Sequence, residues 1–344
     1  MSSEKSPWPE RMAAVVANAI GDLVVSQHVQ PPELGPDMLL IKTVAVAVNP
    51  CDMKMTGPMA SEGAISGGDC AGIVVAIGSG VPEGKFAIGD RVCAAVQSMN
   101  PLLPRVGAFA DYVGATADFT LKIPHGMSFE EASTLGISTA TVGYALFKSL
   151  SIPGHPDKPA AKPGYVLVYG GSTATGTIAI QLIRRSGLTP ITTCSPKNFN
   201  LVEGIRAYTK NSLYYALDCY CDAVSMSFCY GALGRAGGRY TTLEHYNPAL
   251  HTRKTVKPDW ILGPALFGKK IGWKAPYNLE GDPDLRTFGR DWFRCVQRML
   301  DAGDIKPHPV KLAGTSLEHV IEGLELLRRK AVSGEKLVYH IADP

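Results

Sequence analysis

Apolar residues recur in short β-prone strings through the first third of the chain, at 38–48, 71–77 and 91–96. Gly and Pro break these strings at short intervals, the pattern of an antiparallel, barrel-like domain. The period changes at Ser128-Phe-Glu-Glu131, a capping box that predicts a helix running toward Leu146. Residues 151–163 hold four prolines and predict a surface connection. From there the rhythm becomes strand, turn, helix, strand. Tyr165-Val-Leu-Val-Tyr169 is an apolar strand, 177–185 reads as a helix closed by Gly187, and 190–194 as a second strand. Further strands are predicted at 214–219 and 238–242. Thr315-Ser-Leu-Glu318 is a second capping box. It precedes Leu317, Val320, Ile321, Leu324 and Leu327, a helical apolar stripe, and 335–341 reads as a last strand.

This order predicts an α/β chain: a Rossmann-type, doubly wound parallel sheet plus a mainly antiparallel barrel-like domain. The expected boundaries are 1–150 for the β-rich domain, 151–163 for the connection and 164–280 for the doubly wound domain. Residues 281–344 are expected to return to the first domain. One interval is short. Between Ser195 and the strand at 214 there is room for one helix, not for helix, strand and helix. A strand-and-turn segment is therefore expected to be missing near 202–204, through a true deletion or an omitted stretch. Omission is favoured, because deleting a central strand would cost much of the core of a parallel sheet.

Length and composition bound the function. At 344 residues, with 45% hydrophobic and 19% charged, the chain can bury two cores. A net charge of +3 without a basic run gives no reason to expect nucleic acid or an anionic membrane as partner. No apolar stretch is long enough to span a bilayer, and the opening Met1-Ser-Ser-Glu-Lys-Ser-Pro-Trp8 has no signal core, so a cytoplasmic protein is expected. The cysteines include no CxxC pair, and Cys219-Tyr-Cys221 has no accompanying ligands at zinc spacing. Buried free thiols and no metal are expected.

The candidate chemistry lies at Gly170-Gly-Ser-Thr-Ala-Thr-Gly176, between the strand at 165–169 and the helix. A small-residue turn there presents backbone N–H groups to a dinucleotide pyrophosphate. The fingerprint is degenerate, because Thr173 stands where a Gly is usual. About 20 residues on, where an acid would read an NAD ribose, stand Ser195 and Lys197. A carboxylate there would repel a 2′-phosphate, whereas a hydroxyl and an ammonium would hold one, so the expected cofactor is NADPH. The alternative is an ordinary βα turn with Lys197 as a solvated lysine.

Several strings carry a family resemblance. Asn49-Pro-Cys-Asp-Met-Lys54, Gly72-Ile-Val-Val-Ala-Ile-Gly78, Gly89-Asp-Arg-Val92, Gly107-Ala-Phe-Ala-Asp-Tyr112 and Ser333-Gly-Glu-Lys-Leu-Val338 stand in the order of the medium-chain dehydrogenase/reductases. Tyr169-Gly-Gly-Ser-Thr-Ala-Thr175, Thr193-Cys-Ser-Pro-Lys-Asn-Phe199, Gly234-Arg-Ala-Gly-Gly238 and Leu262-Gly-Pro264 are narrower. They resemble the trans-acting enoyl reductases of fungal highly reducing polyketide synthases, the lovastatin enoyl reductase type. The resemblance implies that the barrel-like domain is GroES-like and catalytic. Zinc-dependent members place Cys where Asn49 stands and Gly-His-Glu where Gly67-Gly-Asp69 stands, so it also implies zinc-free reduction of a C=C bond.

The resemblance further implies residue roles. Lys54 and Thr139 would serve the developing enolate. Cys51, Asp52, Met53 and Lys54 would lie along the cofactor, and Thr173, Ala174, Thr175 and Gly176 at the pyrophosphate. Ser195, Lys197, Asn198 and Phe199 would face the 2′-phosphate. Leu243, Glu244, Ser333 and Gly334 would complete the cofactor site. The acyl chain would run along Ala140, Thr141, Val142, Gly143, Tyr144, Ala145, Leu146 and Phe147, and along Ala265, Leu266, Phe267, Gly268 and Lys269. The first of these runs reads equally as core helix, Lys54 equally as a surface lysine, and Thr139 as a helical Thr bonded back to a carbonyl. The implied partner is the carrier domain of a polyketide synthase or synthase–peptide synthetase hybrid. Oligomeric state stays open between the dimers of many relatives and the monomers of the lovastatin-type subgroup. Two other readings remain: a free-standing quinone or enoyl-CoA reductase, and a non-catalytic NADPH-binding protein.

Overall fold

The computed structural model describes residues 8–193 and 199–344, with the backbone alone at 199–201. The chain forms two compact units. The first comprises residues 1–137, 264–301 and 307–344, and the second 138–263 and 302–306. Residues 138–163 thus pack with the second unit and 264–280 with the first.

The first unit is built around β3 (Met38–Ala47), which is buried along almost its whole length. It pairs antiparallel with β4 (Asp69–Ile77), β6 (Tyr112–Thr116) and β14 (Lys336–His340). β5 (Arg91–Ala95), β7 (Thr120–Lys122) and β13 (Val310–Gly314) extend that sheet, while β1 (Met12–Ala17) and β2 (Leu23–Val29) form a separate ribbon. One core of Val, Ile, Leu and Phe side chains fills it, joined by Leu317, Val320 and Leu324 of α8 (Leu317–Arg328). The α8 cap sits one residue later than the sequence pattern predicts. Ser316, not Thr315, accepts from the third amide of the helix, that of His319.

The helix expected from 128 toward 146 is interrupted. Ser128 caps α2 (Phe129–Ala132) reciprocally with Glu131, but α2 ends within one turn. Ser133 and Thr134 turn their hydroxyls back onto the carbonyls of Glu130 and Glu131, both at 2.8 Å, competing with the helical ladder. α3 (Gly136–Gly143) then starts afresh and passes into a π-helical turn, Tyr144–Ser149. The longest helix, α7 (Pro283–Asp301), buries Leu285, Trp292, Phe293, Val296 and Leu300 along one face.

The second unit holds a five-stranded, fully parallel sheet in the order β12 (Val256–Trp260), β11 (Gly238–Thr242), β10 (Tyr215–Asp218), β8 (Tyr165–Tyr169), β9 (Thr189–Thr193). α4 (Ala174–Arg185) connects β8 to β9. α5 (Phe199–Tyr208) alone fills the interval from β9 to β10, with no further strand among the described residues. The sheet explains how such a gap is tolerated. In the doubly wound order the absent strand belongs outside β9, at an edge and not in the centre. β9 is accordingly exposed or half-buried up to its last residue, Thr193, whereas β8 and β10 are buried after their first residue. The ground for favouring omission, that the strand is central, is therefore corrected: its place is at an edge, and the parallel core closes without it.

Candidate active site

In the second unit the strand order reverses at β8: β9 is added on one side of it and β10 on the other, all of them parallel. The crevice outside their carboxyl ends is where an open α/β sheet binds its ligand. Gly170 leaves β8 at φ 89°, a conformation costly for any side chain. A Cβ on Gly176 would stand 2.3 Å from the Gly170 carbonyl oxygen, so Gly here lets α4 seat directly on the turn. Thr173 caps α4 by accepting from the Gly176 amide at 3.0 Å, while its own amide donates to the Gly170 carbonyl. Of the four amides expected at the pyrophosphate, those of Thr173 and Gly176 are thus engaged. Ala174 and Thr175, in the first turn, have no carbonyl within the helix to bond to. They sit at the positive end of a 12-residue helix, and this cradle fits a dinucleotide phosphate.

Asp218 secures the next loop of this edge. It is fully buried at the end of β10 and accepts from the amides of Tyr220 and Cys221 and the hydroxyls of Ser225 and Tyr240. Leu243 and Glu244 follow β11, both half-buried, and the Leu243 amide donates to the Cys221 sulfur. Ser195, Lys197 and Asn198 lie outside the described residues, and of Phe199 only the backbone is described. Thr139 is fully buried, as are Val142, Ala145 and Leu146, with Ala140 nearly so. Thr141, Tyr144 and Phe147 are half-buried, and Phe147 packs on His155 with ring centroids 5.0 Å apart.

In the first unit, α1 (Pro50–Lys54) is a single turn entered by Pro50, where the missing N–H costs nothing. Cys51 and Lys54 are exposed, Met53 is half-buried and Asp52 is buried. Thr56, just past it, accepts from Arg328 at 2.9 Å, tying α1 to α8. Ser333 and Gly334 are exposed in the loop that enters β14. Ala265, Leu266 and Phe267 are buried, Phe267 against Phe119 with ring centroids 4.5 Å apart. Gly268 is half-buried at φ 65°, and Lys269 is exposed and pairs with Asp37. Phe267 and Lys269 line a hollow with Gln97, Leu103 and Val106.

Beneath α1 lies a polar cluster that the sequence patterns do not reveal. Asn49, Asp52, Asp69 and Lys336 are 6%, 2%, 0% and 5% exposed. Lys336 Nζ is 2.6 Å from Asp69 Oδ2, and Asn49 Nδ2 donates to the same oxygen at 2.9 Å. Asp52 Oδ2 accepts from the Asn49 amide at 2.8 Å. Removing one partner from such a buried ion pair costs about 3–5 kcal/mol, because the other charge is left uncompensated. Lone charged residues inside a strand start (Asp69, Lys336) carry no sequence periodicity, which is why the pattern missed them.

Burial raises the Asp52 carboxyl to about 7, against the opposing hydrogen bonds from Asn49 and with the Asp69 charge adding to the rise. Between its ordinary 3.8 and that value the folded state holds a proton that the unfolded state has lost. Stability contributed at this site therefore falls as pH rises through that window. Asp52→Asn is expected to leave Tm little changed at pH 4 and to raise it relative to the unsubstituted protein at pH 8. Thermal unfolding across that range tests it, and identical pH slopes for the two proteins would contradict the assignment.

Comparison with known proteins fits this architecture. Residues 35–125 match the alcohol dehydrogenase GroES-like domain. The chain is 50% identical over 351 residues to the trans-enoyl reductase FSL5 of Gibberella zeae, covering 97% of this chain and 98% of that protein. It is 47% identical over 355 residues to the trans-enoyl reductase pyiC of Pyricularia grisea, covering 98% and 96%. Among solved structures, the CurK enoyl reductase superposes with a TM-score of 0.70 at 16% identity, over 97% of this chain and 100% of that one. The human synaptic vesicle membrane protein VAT-1 homolog-like protein does so with a TM-score of 0.72 at 21% identity, over 98% and 100%. Among the described residues no helix is long and apolar enough to cross a membrane. Near-full-length identity to named relatives, on a GroES-like unit joined to a parallel-sheet unit, places the chain in the trans-enoyl reductases of the medium-chain dehydrogenase/reductase superfamily.

Proposed function

We propose that this enzyme reduces an α,β-unsaturated acyl thioester carried on the phosphopantetheine arm of a polyketide synthase, with NADPH as reductant. The observation that carries this reading is the identity of about half the residues, end to end, to trans-enoyl reductases. Nicotinamide use follows from the superfamily, and the preference for the 2′-phosphate rests on Ser195 and Lys197 in place of an acid. The bound cofactor supplies hydride to the β-carbon. The chain's residues do the rest. The Ala174 and Thr175 amides hold the pyrophosphate at the α4 terminus. Lys54 and Thr139 stabilise the oxygen that becomes an enolate as the double bond is reduced. Thr141, Tyr144 and Phe147 are the side chains of that run with surface left for an acyl chain.

The zinc-free reading is part of the proposal. Asn49 stands where zinc-dependent relatives carry a Cys, and Gly68, next to Asp69, where they carry a His. Here Asn49 donates to Asp69, and the same carboxylate oxygen takes the Lys336 ammonium, which would repel a cation. Elemental analysis is expected to find no stoichiometric zinc, and chelators to leave turnover intact.

Co-expression with a highly reducing synthase whose own enoyl reductase domain is inactive tests the substrate class. Saturated positions in the polyketide, read by mass spectrometry, are expected. Turnover of quinones with none of acyl thioesters would favour the free-standing quinone reductase reading instead, and cofactor binding without turnover of either would favour a non-catalytic protein.

A further inference from the structure

Asp69 and Lys336 have no assigned role, yet the carboxylate between them joins three separate segments of the first unit. Its Oδ2 accepts from Lys336 on β14 and from Asn49, the residue that leads into α1. Its Oδ1 accepts from the amide of Ile137 at 2.7 Å. The ammonium also reaches the Thr134 carbonyl at 3.5 Å, just ahead of α3. The approach is close: a Cβ on Gly136 would stand 2.5 Å from the Ala94 carbonyl oxygen and 2.6 Å from Asp69 Oδ1. Lys54 closes the short turn that Asn49 opens, and Thr139 lies two residues beyond Ile137 along the chain.

We propose that Asp69 and Lys336 are positioning residues. One buried carboxylate, held by one buried ammonium, fixes both the turn that carries Lys54 and the peptide that enters the helix carrying Thr139. The kinetic consequence rests on the enoyl reductase reading; the structural one does not. A merely stabilising pair could be exchanged for a neutral one without kinetic effect, since apolar or neutral replacements of buried ion pairs are often tolerated. A positioning pair could not, because small misplacements of reacting groups cost about 10²-fold in rate.

The double variant Asp69→Asn/Lys336→Met separates the two, since it removes both charges of the pair together; at pH 6 the neighbouring Asp52, raised to about 7, is mostly protonated and leaves no unpaired charge. The side-chain oxygen at position 69 can still accept from Ile137. Two readouts are taken on the full chain: amide hydrogen exchange, and kcat with KM for NADPH. Faster exchange at residues 50–55, slow exchange retained at Ile137, and a kcat lowered about 10- to 100-fold with a far smaller change in KM are expected. Unchanged exchange at 50–55, or loosened exchange with an unchanged kcat, overturns the proposal. Should the double variant not fold, Asn49→Ala carries the same readouts, because it unhooks α1 while leaving the ion pair intact. Failure of the unsubstituted enzyme to reduce any enoyl thioester would remove the function reading alone. The exchange measurement would still decide whether the carboxylate holds α1.

Discussion

Lys54→Ala and Thr139→Val are each expected to lower kcat by about 10²–10³ with a parallel fall in kcat/KM. As hydride reaches the β-carbon, charge collects on the thioester oxygen, and a donor aimed at that oxygen binds the transition state more strongly than the ground state. The two positions differ in kind. Lys54 is exposed at the end of a single helical turn, whereas Thr139 is fully buried. Thr139→Val keeps the side-chain volume and removes only the hydroxyl, so a loss of rate without a loss of fold isolates the hydrogen bond. Lys54→Ala removes little packing. If Lys54 only holds the cofactor, its loss will raise the KM for NADPH and spare kcat at saturation. Steady-state kinetics with both substrates varied tells the two roles apart.

Lys197→Ala is expected to weaken NADPH about 10- to 100-fold and to leave NADH almost unchanged. A charge-assisted contact to phosphate is worth about 1.5–3 kcal/mol, which converts to that range. The second strand of the parallel unit ends at Thr193, and the residues that follow hold a hydroxyl and an ammonium but no acid until Glu203. Titration of both cofactors into the unsubstituted protein and the variant measures it. Equal affinity of the unsubstituted protein for NADPH and NADH would remove the basis for the assignment.

The parts legible in the sequence share one property: they are local. β8, β11 and α4 follow from apolar strings and small-residue turns, and Ser128 caps as its capping box predicts. What escaped is set by tertiary competition. Ser133 and Thr134 break a helix that periodicity would continue, and Gly136 is demanded by the Ala94 carbonyl and the Asp69 carboxylate, both on distant strands. α7 is a different case, a local pattern that went unread: Leu285, Trp292, Phe293, Val296 and Leu300 recur at helical spacing, with Arg286, Arg290, Arg294 and Arg298 on the opposite face. The second-unit strand β12 carries Lys257, Pro258 and Asp259, residues that argue against a strand anywhere except an edge, which is where it lies. At the site, the phosphate cradle was readable because backbone turns leave a Gly signature. The Asn49–Asp69–Lys336 cluster was not, because its members are 20 and 267 residues apart and only folding brings them together.

The most direct test of the central claim is to supply NADPH carrying deuterium at C4 of the nicotinamide, together with an α,β-unsaturated acyl thioester, and to locate the label in the product. The account predicts one deuterium at the β-carbon of a saturated thioester and a proton from water at the α-carbon. Deuterium at the α-carbon, or an allylic alcohol in place of the saturated thioester, would contradict it.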